Sequence, residues 1–311
     1  MTNTSERDRL VVIVGPTGSG KTHWSIELAK QIGGEIISAD SRYLVRELNI
    51  GTAKPSETEL SQVRHHLINV STLENPWNLG LYLQEATRLI HEINQAGKLP
   101  ILSGGTGQYI RAVLKGWEVP SQMAVEPLRE ALEVWGEAVG FEELHRKLSL
   151  LDPVAAAQID YRNKRRTIRA WEVILTSGRR FSEQRTRSDP PYQTLVIGLD
   201  LPRDVLYAGL DERLERMLAS GFLEEVRLLK ERGLTDPMKT MGIIGYTELS
   251  DYLDGQIDFD EALRRIRHNT RVYVRRQANW FKPSDPEIHW LDARDPALLE
   301  KMLDLVKSNL V

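Results

Sequence analysis

The sequence predicts an α/β fold with a largely parallel sheet, interrupted by an all-helical insertion. Three observations carry that prediction. Short apolar runs alternate with amphipathic stretches of helical spacing. One apolar run leads directly into "GPTGSGKT", residues 15–22. The middle of the chain shows no strand pattern and is flanked by proline-marked edges.

Taken in order, the strand-length apolar runs are Leu10–Val14, Glu35–Ser38, His66–Val70, Leu99–Ser103, Thr194–Leu199 and Ile288–Leu291. Helical periodicity covers Lys21–Gln31, Gly80–Gln95, Val205–Arg232 and Phe259–Phe281. Between them, "PLREALEVWGEAVGFEELHRKL" and "KRRTIRAWEVILTSG" read as successive helices, with "VPS" before and "SDPPY" after. The expected division is therefore an α/β core at 1–117 and 190–311, with a helical insertion at 118–189.

Composition narrows the functional classes. The 311 residues are 41% hydrophobic and 27% charged, with a net charge of −3, so any nucleic-acid binding must come from a local basic patch. Cysteine is absent, which excludes disulfides, thiolate catalysis and cysteine-ligated zinc and fits a reducing compartment. No signal core precedes the first strand, and no apolar run approaches the roughly 18 residues of a membrane span. A cytoplasmic enzyme without a membrane partner is the expectation.

The phosphate loop is the strongest chemical signal. It follows a strand and opens a helix, and Gly15, Gly18 and Gly20 let successive N–H groups point at one anion. Pro16, Thr17 and Ser19 complete the cradle, Lys21 supplies charge for the outer phosphates, and Thr22 offers a hydroxyl to Mg²⁺. A diphosphate or triphosphate binds here. Asp40, in "ISADS" after the second strand, is either a Mg²⁺-positioning carboxylate, a base facing the loop, or a loop cap. After the fourth strand, "SGGTG" makes a second close turn whose Thr106 hydroxyl is available to the site.

Two basic features follow. Arg165, Arg166 and Arg169 share about 100° of one helix, with Ile168, Trp171 and Leu175 on another face. Arg162, Lys164, Arg179, Arg180, Arg185 and Arg187 lie nearby, opposed by Glu172 and Glu183. Farther on, Arg264, Arg267, Arg271 and Arg275 recur at spacings of three and four, with Leu263, Ile266 and Val274 beside them. That stripe either binds the phosphates of a nucleic acid or of a diphosphate or makes structural ion pairs. His65 and His66 lack partners at metal-like spacing, and the tryptophans read as core residues rather than base-stacking platforms.

In order along the chain, "GPTGSGKT", "ISADSR", "NIGTAKP", "HHLINV", "PILSGGTGQYIRAVL", "DPVAAAQI", "IRAWEV", "IGYTEL" and "RRQANWF" resemble the tRNA dimethylallyltransferase (tRNA isopentenyltransferase) family, bacterial type, from about Val11 to Asp292. The resemblance implies a nucleotide-kinase-like core and a helical insertion that clasps the anticodon stem–loop. It implies transfer of the dimethylallyl group of dimethylallyl diphosphate to N6 of the adenosine just 3′ of the anticodon in tRNA. Diphosphate is released and Mg²⁺ is required. It also implies that Asp40 is the base and that Thr106 lies near the reaction centre. tRNA contacts map onto Asp40, Ser41, Arg42, Tyr43, Thr106, Arg129, Arg165, Arg166, Thr167, Ile168 and Arg169. A monomer is expected.

Departures are specific. Tyr43 stands where relatives carry glutamine, either stacking on the adenine or filling space. Gly242 stands where they carry a diphosphate-side arginine or glutamine, leaving Lys239 or Arg271 to substitute. "DYRN" at Asp160–Asn163 replaces an "HPND"-like segment, and the zinc finger of some eukaryotic relatives is missing. The rival readings are an ATP-dependent small-molecule kinase, an isopentenyltransferase for free adenine nucleotides, and an RNA-binding module with a relict loop.

Overall fold

In the computed structural model, β1 (Asp8–Val14) runs through the middle of the sheet, and its residues Leu10–Val14 are fully buried. Such a continuous apolar run suits a parallel strand covered on both faces. The described residues are 7–117, 119, 126–183 and 192–310. After β1 come α1 (Lys21–Ile32), β2 (Glu35–Ser38), α2 (Glu57–Gln62), β3 (His65–His66), α3 (Leu79–Gln95), β4 (Pro100–Ser103) and α4 (Gly107–Leu114). Four helices follow: α5 (Glu126–Val139), α6 (Phe141–Leu151), α7 (Pro153–Gln158) and α8 (Lys164–Ser177). The chain then forms β5 (Tyr192–Asp200), α9 (Arg203–Ala219), α10 (Phe222–Glu231), α11 (Thr235–Thr240) and α12 (Tyr246–Leu253). It ends with α13 (Phe259–Gln277), β6 (Ile288–Asp292) and α14 (Leu298–Leu310).

All six strands are parallel, in the order β3-β2-β4-β1-β5-β6. The connection from β1 crosses to one side of the sheet and, after β4, the chain returns to the other. The carboxyl ends flanking β1 therefore border the crevice where open α/β sheets bind ligands. Ile26 and Leu28 of α1 and Met302 and Val306 of α14 pack with Ile13, Ile101 and Ile197 of the strands. A second apolar cluster joins α10, α12 and α13 through Phe222, Val226, Tyr246, Leu249 and Ile266.

The chain divides into two compact units, 1–77 with 84–114 and 190–311, and 78–83 with 115–189. In the second, Leu132, Leu144, Leu148, Ile168 and Trp171 form the core. Asp152 caps α7 through the Ala155 N–H and also accepts from the Ser182 N–H and hydroxyl. The expected insertion edge at 118, most of "VPS" and "SDPPY", and Arg185 and Arg187 lie outside the described residues.

Three element expectations need correction. The third strand is two residues long, not His66–Val70, because Leu67 and Asn69 adopt φ of 58° and 59°, outside the extended region. Val205–Arg232 is two helices, since Gly221 takes φ 99° between α9 and α10. The last long helix stops at Gln277 rather than Phe281. Leu175, expected to share a face with Ile168 and Trp171, is 53% exposed.

Candidate active site

The phosphate loop joins β1 to α1, with Gly15, Gly18 and Gly20 at φ 146°, 91° and 80°, values that disfavour side chains. The Lys21 ammonium folds back over it, donating to the carbonyls of Gly15 (3.0 Å) and Pro16 (2.8 Å). Burial pushes the Lys21 pKa down to about 8; the Asp40 carboxylate opposes that shift and the Arg213 guanidinium adds to it. Ser19 is buried, and its hydroxyl finds no partner among the described residues. Thr22 meets the Tyr43 phenol, which also donates to the Ala53 carbonyl at 2.9 Å. Burial, reinforced by Asp40, raises the Tyr43 pKa to about 12, so Tyr43 remains a neutral wall of the cavity.

The turns after β2 and β4 are stitched together. Ala39 N–H donates to Ser103 O (2.8 Å), and Thr106 N–H donates to Ala39 O (3.0 Å). The Thr106 hydroxyl accepts from Ser41 N–H at 2.9 Å and donates to Ser41 Oγ at 3.2 Å. Asp40 Oδ1 accepts the Arg42 N–H at 3.0 Å. Its Oδ2 lies beside Gly105, where an added Cβ would come within 3.0 Å of it. A side chain at Gly105 would push the Asp40 carboxylate and the Gln277 amide aside.

One cavity of about 540 Å³ gathers these groups. Its lining includes Thr17, Lys21, Thr22, Asp40, Arg42 and Tyr43, together with Arg213, Gly242, Arg267, Arg271 and Tyr273. The volume suits a small ligand bearing several polar contacts. The Thr106 hydroxyl is turned onto Ser41, so it holds the turn that carries Asp40 beside the cavity.

The arginine stripe on α13 splits by partner. Arg267 bonds Glu215 at 2.6 Å and Arg271 bonds Asp211 at 2.7 Å, both partners on α9, yet both arginines line the cavity. Arg264 pairs with Glu261 of its own helix, and Arg275 is exposed. Of the two cations expected to compensate for Gly242, Arg271 reaches the cavity. Lys239 does not, being paired with Asp251 (2.8 Å) and Asp254 (3.5 Å).

Two cavity-side residues escaped the sequence reading. Arg213 on α9 lines the cavity and donates to Thr52 O at 2.9 Å. Gln277, the last residue of α13, accepts the Thr17 N–H (2.8 Å) and donates to Gly105 O (2.8 Å). A signal for Gln277 existed. It falls three residues after buried Val274 on an apolar face, and a buried amide there demands partners.

In the helical unit, α8 exposes Arg165 and partly exposes Arg166 and Arg169. Arg169 bonds Glu172 at 3.1 Å, and Arg129 on α5 lies 3.9 Å from the same buried carboxylate. Thr167 and Ile168, expected to contact tRNA, are 0% and 2% exposed, because they occupy the inward face of the helix. His66 bonds Glu35 at 2.7 Å, and no three acidic or histidine side chains converge on a metal-sized site among the described residues. No helix among them is long and apolar enough to cross a membrane.

A parallel sheet, a glycine-rich anion loop at its central strand, and a carboxylate facing that loop define an α/β protein of the phosphate-loop class. The sequence model of the IPP transferase family matches residues 44–284, and the chain belongs to that family. It is 42% identical over 306 residues to the tRNA dimethylallyltransferase of Thermomicrobium roseum, covering 98% of this chain and 93% of that one. Its structure is similar to that of the tRNA isopentenylpyrophosphate transferase from Bacillus halodurans (TM-score 0.73, 37% identity, 98% and 97% of the two chains). It is also similar to a eukaryotic dimethylallyltransferase acting on tRNA (TM-score 0.78, 25% identity, 97% and 76%).

Proposed function

We propose that this chain transfers the dimethylallyl group of dimethylallyl diphosphate to N6 of the adenosine immediately 3′ of a tRNA anticodon. The observation that carries this reading is the shared cavity: Lys21 and Thr22 of the anion loop and the Asp40 carboxylate line the same space.

The chemistry assigns each group a task. N6 attacks the allylic C1 carbon, the C1–O bond breaks, and its electron pair leaves with the diphosphate. Loop N–H groups, Lys21, Arg213 and Arg271 neutralise that leaving group in the cavity they line. N6 is a weak nucleophile because its lone pair is delocalised into the purine, and it loses a proton as the bond forms. Asp40, held by the Arg42 N–H, accepts that proton. The Thr22 hydroxyl is an oxygen donor on the cavity that fits Mg²⁺, which commonly takes one or two protein oxygens and completes its shell with phosphate and water. When bound, the ion adds Lewis-acid neutralisation of the diphosphate.

The acceptor side supports tRNA as substrate. Arg129, Arg165, Arg166 and Arg169 give the helical unit a cationic surface for the phosphates of the anticodon stem–loop. The target base must leave its stack, costing a few kcal/mol that backbone contacts offset. The enzyme works as a monomer where tRNA is found, in the cytoplasm.

Incubation with labelled dimethylallyl diphosphate, Mg²⁺ and unmodified tRNA, with AMP and ATP as competing substrates, tests the assignment. Label in tRNA alone is expected. Label in AMP, or phosphoryl transfer from ATP to a small acceptor, would replace it with one of the rival readings.

A further inference from the structure

The segment "NIGTAKP", residues 49–55, is fastened to the cavity wall in an unusual way. One carboxylate, Glu225 of α10, accepts three successive backbone N–H groups: Asn49 (3.3 Å) and Ile50 (2.9 Å) on Oε2, and Gly51 (3.2 Å) on Oε1. The Tyr246 phenol of α12 donates to the same Oε1. Burial and the neighbouring Glu225 charge raise the Tyr246 pKa, so its hydroxyl stays a donor. A Cβ at Gly51 would fall 2.0 Å from the Phe222 ring and 2.6 Å from that of Tyr246, so this backbone is seated directly on two helices. Lys54 closes the other end, donating to Val45 O (2.8 Å) and Asn69 Oδ1 (2.7 Å).

The next residue shows what the seating serves. Thr52 O accepts the Arg213 guanidinium at 2.9 Å, and Thr52 lines the cavity beside it. Arg213 is a long, rotamer-rich side chain; unanchored, it would lose freedom each time a ligand bound.

We propose that Glu225 is a positioning residue for the diphosphate site: it fixes segment 49–52, whose Thr52 carbonyl holds Arg213 against the donor's leaving group. The proposal rests on the reading of the cavity as a diphosphate site. Glu225 touches no substrate and acts only through the loop. A purely structural brace would lower stability without a specific effect on the phosphate end of the cavity.

The test is a double-mutant cycle read by calorimetric binding of Mg²⁺–pyrophosphate and by kcat and KM for dimethylallyl diphosphate. Arg213→Ala is expected to weaken pyrophosphate binding roughly 10- to 100-fold. Glu225→Gln, which replaces one accepting oxygen with an amide donor facing the loop N–H groups, is expected to weaken it about 3- to 10-fold and to raise KM more than it lowers kcat. The double variant should bind no worse than Arg213→Ala alone, because the effect of Glu225 passes through Arg213. In Glu225→Gln the Lys21 titration should also move to higher pH, since a displaced Arg213 no longer depresses it. Additive losses in the double variant, or normal binding in Glu225→Gln, overturn the proposal while leaving the site intact. Normal binding in both Arg213→Ala and Lys21→Met overturns the site assignment itself. Should Glu225→Gln fail to fold, Tyr246→Phe removes one bond to Glu225 and carries the same cycle at smaller amplitude.

Discussion

Gln277 and Thr17 are 260 residues apart in sequence, yet the Gln277 side-chain oxygen accepts the Thr17 backbone N–H at 2.8 Å. The other end of the amide donates to Gly105 O, also at 2.8 Å. A single side chain, 9% exposed, thus ties the anion loop to the turn beside Asp40. Gln277→Leu removes both bonds, stranding the Thr17 N–H and leaving the Gly105 carbonyl only the 3.4 Å contact from the Tyr273 hydroxyl. It should cost about 2 kcal/mol in urea unfolding and lower kcat more than it weakens pyrophosphate binding, because the loop retains its own anion-binding amides. Gln277→Glu keeps the acceptor for Thr17 but turns the second contact into carboxylate against carbonyl. A loss of kcat in this variant too would locate the effect at the Gly105 turn, whereas full activity in both variants would reduce Gln277 to packing.

Asp40→Asn preserves shape and the bond from the Arg42 N–H but cannot accept a proton at neutral pH. General-base catalysis is typically worth about 10²- to 10⁴-fold, so single-turnover transfer to tRNA should fall by that much with pyrophosphate affinity held within a few-fold. Turnover within a few-fold of the parent enzyme would remove Asp40 as the base.

The physical reach of the signals explains which of these residues were visible in the sequence. The anion loop is a local object, strand, glycines and helix consecutive between Asp8 and Ile32, so its geometry could be read before the fold was known. Asp40 was placed by a rule about strand ends, and the parallel sheet meets that rule's conditions. Arg213, Gln277 and Glu225 come from helices whose sequences only show amphipathic spacing; their partners are backbone groups in loops far away in the chain. Thr167 and Ile168 show the limit of a resemblance: the run Arg165–Arg169 was carried over as a segment, whereas helical spacing already set Ile168 apart from the arginines, and α8 buries Thr167 with it. Gly221 was legible as a breaker, yet apolar periodicity continues on both sides of it and hides the change of direction.

Lys21 makes donor binding pH-dependent. With its pKa near 8, the free enzyme begins to lose the ammonium proton above that pH, whereas a bound diphosphate favours the charged form and raises the pKa. Pyrophosphate binding should therefore take up protons between about pH 8 and 9 and little below pH 7, and affinity should fall as pH rises through that window. Calorimetry in buffers of different ionisation enthalpy reads the uptake directly, and Lys21→Met should abolish it. Stability has the opposite slope. Lysine in the unfolded chain titrates near 10.5, so the unfolded state holds more protons from about pH 8 to 10.5, and the cost of burying this ammonium is progressively relieved across that range. Proton uptake unchanged in Lys21→Met would assign the titration to another group.

The two faces of α8 should behave as different materials. Arg165 is exposed and its charge is available to phosphate, so Arg165→Ala should weaken tRNA binding for all tRNAs alike and reduce the slope of log K against log salt by about one. Thr167 is fully buried, and its hydroxyl has no partner among the described residues, so Thr167→Val exchanges an unsatisfied polar group for a methyl of the same shape. That change should raise stability by about 1 kcal/mol and leave the salt slope where it was. Glu172, buried between Arg129 and Arg169, adds a third arm: Glu172→Gln frees both guanidiniums of their counter-ion and should steepen the slope. A salt dependence insensitive to Arg165→Ala but altered by Thr167→Val would mean that the RNA meets a different face of this helix.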